Sequence, residues 1–130
     1  MKVNDGCLLP DLVCERVFEL SDDIRYVAVY YRGTLRSIAR PISDAPGSWD
    51  SDKYEEIIVN PTLVTLLRQR GNIDCGGLRH VIVGYGNFTL LVHPLSDGHI
   101  SVAFELNSGY ARILPRIRKL LHENRLIIDN

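Results

Sequence analysis

The sequence has no apolar run that approaches the roughly 20 residues a membrane-spanning helix needs. The first residues, 1–6, also lack the apolar core of a signal peptide. Both absences predict a cytoplasmic protein without a membrane partner.

Cysteine is scarce, and its pattern argues against a disulfide framework. The three cysteines, Cys7, Cys14 and Cys75, are an odd number and contain no CxxC pair. In a cytosolic chain, reduced thiols are the simplest interpretation.

An excess of charge of either sign is missing as well. A formal net charge of −1 provides no field that would recruit DNA, RNA or an anionic membrane. The predicted last helix has a basic outer face, but a solvated helix surface explains that face equally well. Nucleic acid is therefore not an expected partner. The basic residues are Arg112, Arg116, Arg118 and Lys119.

The most informative feature that is present is a run of three short strands, 78–84, 88–95 and 99–106. Tight turns at 84–87 and 96–98 separate them. Apolar and polar residues alternate most cleanly in the third strand, as expected for a half-buried strand. Because the turns are short, the three strands should pair antiparallel in sequence order.

The first part of the chain predicts a helix and a hairpin. The helix begins at Pro10, because proline is tolerated in a first helical turn. Strands 25–31 and 34–40 follow, joined by a tight turn at Arg32-Gly33. The second strand has a charged face, which suits the edge of a sheet.

The middle of the chain predicts one kinked helix or two helices, near 52–59 and 61–70. Pro61 interrupts an apolar stripe, and Asn60 before it could serve as a helix cap. The last helix has Ser108 as a candidate cap and should become regular only after Leu114, because Pro115 complicates its start.

These elements give the order α-β-β-α-β-β-β-α and an α+β fold class. The five strands form one antiparallel sheet with helices on both faces. With 130 residues the chain is one domain, 1–130, in which 1–8 is expected to be flexible and 41–50 to be an irregular loop.

No group of residues matches a known catalytic or metal motif. His80, His93 and His99 lie in neighbouring strands after Cys75, but their spacing fits no compact zinc site, and the latter two histidines are expected at the surface beside a turn. Hairpin turns with positive φ angles explain Gly84, Gly86 and Asn87 better than a phosphate loop does. We therefore expect no enzyme activity and no cofactor.

Aromatic residues cluster near the first hairpin and the middle helix. Packing of the first strand against helices on both sides of the sheet would use Tyr30 or Tyr31 as a core residue. Trp49, on the predicted irregular loop, is the aromatic residue most readily assigned to a partner surface.

This element order, in about this length, resembles the roadblock/LC7 fold, a relative of the profilin-like and longin-like domains. The segment 21–29, followed by Gly33-Thr34-Leu35, resembles the first hairpin of small archaeal roadblock-like proteins of unassigned function. The resemblance covers almost the whole chain and rests on the pattern of elements.

The resemblance implies a dimer without enzyme activity. Such domains place their middle helices side by side and pair their third strands edge to edge, and the joined sheet serves as a platform, often for small Ras-like GTPases. Pro61 departs from the smooth helical pattern of such an interface. The residues that would form the dimer surface are Ile57, Ile58, Leu63, Leu67, Arg79, Val81 and Val83.

The favoured hypothesis is a non-catalytic, homodimeric scaffold that regulates a small GTPase or a signalling complex. The alternative is a small-molecule sensor of the PAS or GAF kind, with a ligand between the sheet and a helix. The two differ in volume, because a sensor needs a closed cavity where a scaffold has a filled core.

Overall fold

A five-stranded antiparallel sheet forms the centre of the molecule. The computed structural model describes residues 10–41 and 49–127, without the side chains of Pro10, Trp49 and Asp50. The predicted α+β class and the predicted order of elements are confirmed. In chain order the elements are α1 (Pro10–Phe18), β1 (Ile24–Tyr31), β2 (Thr34–Ala39), α2 (Trp49–Tyr54), a π-helical turn (Glu55–Val59), α3 (Asn60–Asp74), β3 (Val81–Gly84), β4 (Thr89–Leu95), β5 (Gly98–Phe104) and α4 (Tyr110–Glu123).

The strands lie in the order β2-β1-β5-β4-β3. Neighbouring strands pair antiparallel throughout. Strand β2 is therefore at one edge, as its charged face predicts, and β3 is at the other. The turn between β1 and β2 has positive φ angles at Arg32 and Gly33, of 51° and 81°. Both central residues of a tight hairpin turn adopt such angles, which match the twist of the strands.

The larger core lies between the sheet and the helices α1 and α4. Alternate residues of β1, β4 and β5 point to this face, because successive side chains in a strand face opposite sides. Phe104, Leu91 and Ile100 are fully buried there. Helix α4 contributes Ile113, Ile117 and Leu121, spaced for one face of a helix.

The middle helix, residues 49–74, crosses the opposite face without a break. A π-helical turn, in which the N–H of Asn60 donates to the carbonyl oxygen of Glu55, lies directly before Pro61. A proline ring clashes with the carbonyl four residues earlier in a regular α-helix, and the wider turn relieves that clash. The hydroxyl of Thr62 donates to the Ile58 carbonyl oxygen at 2.6 Å. Pro61 therefore does not split the helix in two.

Several local expectations differ from the structure. Asn60 does not cap a helix, because its side chain is buried in a hydrogen-bonded cluster. Helix α4 begins after Gly109, and the Ser108 hydroxyl makes no hydrogen bond within the described residues. The helix is regular through Pro115, which removes only one internal hydrogen bond while the buried face keeps the helix on the sheet.

The prediction of positive φ angles at Gly84, Gly86 and Asn87 was wrong, because none of the three has one. The glycines that do adopt them include Gly76 and Gly77, which follow α3. The middle helix begins at Trp49, inside the segment 41–50 that was expected to be irregular. Residues 1–8, expected to be flexible, and 42–48 lie outside the described residues. Within the described part of the chain, no helix combines the length and the apolar character that crossing a bilayer requires.

Candidate interaction surface

The middle helix turns a largely polar side to its own sheet. The buried positions of its π turn and α3 are Glu56, Asn60, Val64 and Gly71. Its exposed large apolar residues are between 36 and 76% accessible, although apolar stripes of surface helices normally face the core. An apolar surface of this kind marks an interaction site more often than it marks a solvated face. These outward residues are Tyr54, Ile58, Leu66, Leu67 and Ile73.

A hydrogen-bonded cluster around Glu56 fastens the helix to the sheet. Oε1 of Glu56 lies 2.7 Å from His99 Nε2 and accepts a bond of 2.7 Å from the Ser101 hydroxyl. It also accepts from Asn60 Nδ2 at 3.2 Å, while Oε2 accepts from the Tyr26 hydroxyl at 3.2 Å. His99 and Ser101 share one face of β5 because they are two residues apart. The cluster therefore joins the π turn to strands β1 and β5.

Burial and neighbouring carboxylates raise several pKa values around this cluster. Burial, and then the charge of Glu56, raise the pKa of Tyr26, which stays a phenol and donates its proton. The same two causes raise the pKa of Asp52 and of Glu55, although a hydrogen bond from Tyr85 opposes the shift at Glu55. The potential at this end of the middle helix is negative.

The Glu56 cluster also bears on the sensor alternative. A sensor would have a closed ligand cavity between the sheet and a helix, and the middle helix is one of those that cover the sheet. Glu56, Asn60, His99 and Ser101, all at most 2% exposed, fill that space and bond to one another across it. The arrangement there is that of a structural anchor, so nothing in it supports a sensor.

Strand β3 forms the second half of the candidate surface. It pairs with β4 on one side only, so among the described residues its other backbone edge has no strand beside it. Val81 and Val83 point to the middle helix and pack with Val64. Ile82 points to the other face and is 36% exposed. The edge and the outward side of α3 therefore lie next to each other.

The predicted dimer residues lie in this region but differ in their exposure to solvent. Ile58, Leu67 and Arg79 are exposed, whereas Ile57, Leu63, Val81 and Val83 are half-buried. Tyr54, Leu66 and Ile73 also belong to the surface, and the sequence interpretation missed them. They were missed because an apolar helix stripe is normally assigned to the core, whereas here it faces outward. The side chain of Trp49 lies outside the described ones, so its assignment to a partner surface stays a prediction.

The histidines are arranged differently from the prediction. His93 and His99 are buried, although both were expected at the surface. The rings of His80 and His93 stack with their centroids 6.4 Å apart, whereas His99 lies on the opposite face of the sheet with Glu56. Among the described residues, no group of three or more potential ligands could enclose a metal ion. Cys75 is exposed and bonds to Asp74.

Stability should fall as the pH is lowered, because of His93. Burial lowers the pKa of His93 to about 4, and the charge of Arg118 acts in the same direction. Between the ordinary value of 6.5 and pH 4, the unfolded chain takes up a proton that the folded chain does not. As the pH is lowered through this window, the free energy of unfolding should therefore fall, and His93 contributes at most about 3 kcal/mol to that loss. Urea unfolding at a series of pH values measures the loss.

His93→Gln is the control for this effect. The variant should be less stable at pH 7 but should lose less stability between pH 6.5 and 4 than the unmodified chain does. Equal losses in the two proteins would assign the pH dependence to other groups.

Comparison with solved structures finds chains of the same architecture. A roadblock/LC7 domain from Streptomyces avermitilis matches with a TM-score of 0.67 at 16% identity, covering 88% of this chain and 93% of that one. MglB of Myxococcus xanthus matches with a TM-score of 0.65 at 14% identity, covering 87% and 89%. The gliding protein MglB of Thermus thermophilus matches with a TM-score of 0.60 at 14% identity, covering 95% and 98%. Likeness at these identities establishes the fold.

Sequence comparison adds nothing to this result. No family model matches the chain, and no curated protein matches it.

Proposed function

We propose that this chain, which has the roadblock/LC7 fold, is a non-catalytic interaction module that dimerises through its middle helix and strand β3. The observation that carries the proposal is the orientation of the middle helix. Its polar residues face its own sheet and its apolar residues face outward, next to an unpaired strand edge. The mechanism is surface complementarity, without bond chemistry.

The outward apolar residues supply the driving force for association. Leaving a large apolar side chain in water instead of burying it forgoes about 2 kcal/mol. Tyr54, Ile58, Leu66 and Ile73 lie along 20 residues of one helix, so a second copy of the same helix offers a matching surface. A two-fold axis satisfies both copies at once, because each then presents the same patch to the other.

The edge of β3 supplies the directional part of the contact. The N–H and C=O groups on its outer side, which pair with no strand of the described residues, can pair with the same strand of a second copy, which would join two five-stranded sheets. The side chains of Val81 and Val83 remain under the middle helix in this arrangement, and their backbone contributes to the interface. Ile82 adds an exposed apolar side chain on the other face.

Leu66→Asp should convert a dimer into a monomer. Leu66 is 59% exposed on the outward side of α3, so a carboxylate there changes the fold little but would be buried against its copy in the dimer. Light scattering after size exclusion should give twice the 14.7 kDa chain mass for the unmodified protein and the single mass for the variant. A dissociation constant raised about a hundredfold or more is expected.

Leu106→Asp is the matched control. Leu106 is 52% exposed, and it follows β5 instead of lying on the middle helix. This variant should keep the dimer mass. A monomeric unmodified chain would refute the dimer, and an unchanged mass for Leu66→Asp would place the interface elsewhere.

We further propose that the joined sheet presents a platform to a protein partner. The partner that the resemblance to roadblock/LC7 domains implies is a small Ras-like GTPase, and what supports this finer proposal is the shared fold. Co-elution of the dimer with such a GTPase, loaded with GDP or with a GTP analogue, tests it. Leu66→Asp should lose the complex and Leu106→Asp should keep it, because only the dimer forms the platform.

A further inference from the structure

A second feature, a cleft of about 300 Å³, lies where β3 separates from β4. Pairing between these strands begins at Val81 and Val92, so the last three residues of β4 extend beyond β3. Helix α3 borders the gap on one face of the sheet and helix α4 on the other. Its polar and charged lining residues are Arg68, Asn72, Arg79, His93, Ser96 and Arg118.

The cleft is strongly positive. It has three arginines from separate parts of the fold, Arg68 on α3, Arg79 before β3 and Arg118 on α4, and no carboxylate of residues 10–41 or 49–127 lines it. None of the three forms a salt bridge with a carboxylate of the described residues. The contrast with Arg70, whose Nη1 lies 2.7 Å from Asp74 one turn along α3, shows that pairing is available nearby.

Two of the three arginines are oriented by the wall of the cleft. Nη1 of Arg118 donates to His93 Nε2 at 2.7 Å. The other ring nitrogen of His93 lies 2.8 Å from the Pro94 carbonyl oxygen, so the proton of the neutral ring lies on Nδ1 and Nε2 accepts. Nη2 of Arg68 donates to the Leu95 carbonyl oxygen at 3.1 Å. Each guanidinium has five N–H groups, so most donors of both remain.

The third arginine has no such constraint. Arg79 is exposed and has no hydrogen-bond or ion-pair partner among the described residues. Burial, followed by the charges of Arg79 and Arg118, lowers the pKa of the neighbouring His80. No carboxylate is among the causes of this shift, so the pKa of His80 reflects a positive environment.

We propose that this cleft binds a small molecule that carries a phosphate group. Guanidinium groups bind phosphate and carboxylate oxygens through paired N–H donors. Three arginines on three sides suit a tetrahedral group with two or more negative charges better than a single planar carboxylate. The volume is at the lower end of the range for ligand pockets, which suits a small ligand. The Asn72 amide and the Ser96 hydroxyl add polar groups to the lining.

Calorimetric titration with pyrophosphate and with inorganic phosphate, at constant ionic strength, tests the proposal. Both should bind, whereas citrate, whose charged groups are all carboxylates, should bind about tenfold more weakly or worse. Arg79→Gln and Arg68→Gln should each weaken pyrophosphate binding about tenfold or more, because each removes charged donors. Arg116→Gln, on the exposed side of α4, should bind as the unmodified chain does.

Three results would overturn the site. They are no binding of pyrophosphate at millimolar concentration, equal binding by the Arg79→Gln and Arg116→Gln variants, and binding of citrate as tight as that of pyrophosphate. The cleft does not depend on the proposed dimer, although Arg79 belongs to both. Light scattering on the same samples separates the two, because phosphate binding by a monomer supports the cleft and refutes only the dimer.

Discussion

Glu56→Gln is expected to remove about 3 kcal/mol from the free energy of unfolding, because a buried hydrogen-bond donor that loses its acceptor costs about that much. Glu56 is fully buried and accepts four hydrogen bonds from the sheet and from its own helix. An amide of the same shape places an NH₂ group among these donors, so at least one of them loses its acceptor. Urea unfolding followed by circular dichroism measures the loss.

Glu55→Gln is the matched control in the same π turn. Its pKa is raised by burial and by Glu56, so the charged carboxylate is disfavoured in the folded chain. Above the ordinary pKa a neutral amide should therefore leave stability unchanged or raise it slightly. A Glu56→Gln variant as stable as Glu55→Gln would show that the cluster does not anchor the helix.

A double-mutant cycle with His99→Gln assigns the effect within the cluster. If Glu56 and His99 stabilise each other, the two substitutions together should cost less than the sum of their separate effects. The middle helix depends on this cluster, because Val64 is the only apolar side chain that α3 buries. Loss of the cluster should therefore abolish the proposed dimer together with the stability.

The arrangement of strands could be predicted because its signals are local. Short apolar or alternating runs between turn signals indicated all five strands, and the Arg32-Gly33 turn has the positive φ angles that its hairpin requires. The charges of β2 and its poorer alternation marked it as an edge strand, where the structure has it. Each of these inferences uses residues fewer than ten positions apart.

The orientation of the middle helix could not be predicted in the same way. Its inner positions Glu56, Asn60, Val64 and Gly71 keep helical spacing, but most of them are not apolar, whereas the apolar residues that would be assigned to the core face outward. The inner residue Glu56 would also be placed on the surface by any rule of burial. Its partners Tyr26, His99 and Ser101 are 30 to 45 positions away, and only the folded sheet brings their donors together.

The arginine cleft depends on long-range placement as well. Arg68, Arg79 and Arg118 lie on different elements, and each is an ordinary surface residue in the sequence. They line one site because β3 is short. Its pairing with β4 begins only at Val81, which leaves a gap beside the end of β4. The sequence interpretation extended this strand back to residue 78 and would have closed the gap.

Gly98→Ala should be the most damaging single substitution outside the Glu56 cluster. Gly98 begins β5 and lies between Tyr31 of β1 and Leu95 of β4. A Cβ atom on Gly98 would coincide with the carbonyl oxygen of Tyr30 and lie 2.9 Å from its carbonyl carbon. Because these are backbone atoms, no side-chain rotation can relieve the overlap.

Strands β1 and β5 are neighbours near the centre of the sheet, so separating them at this end affects both cores. We expect a loss of about 4 kcal/mol or more, which is a large fraction of the stability of an ordinary domain. Gly86→Ala is the control, since its Cβ would meet open space and its φ needs no glycine. Urea midpoints measure the difference where Gly98→Ala folds, and loss of its folded circular-dichroism spectrum measures it otherwise. If the two alanine variants unfold within about 1 kcal/mol of each other, β1 and β5 must be able to separate locally at Gly98 at the small cost typical of a surface substitution.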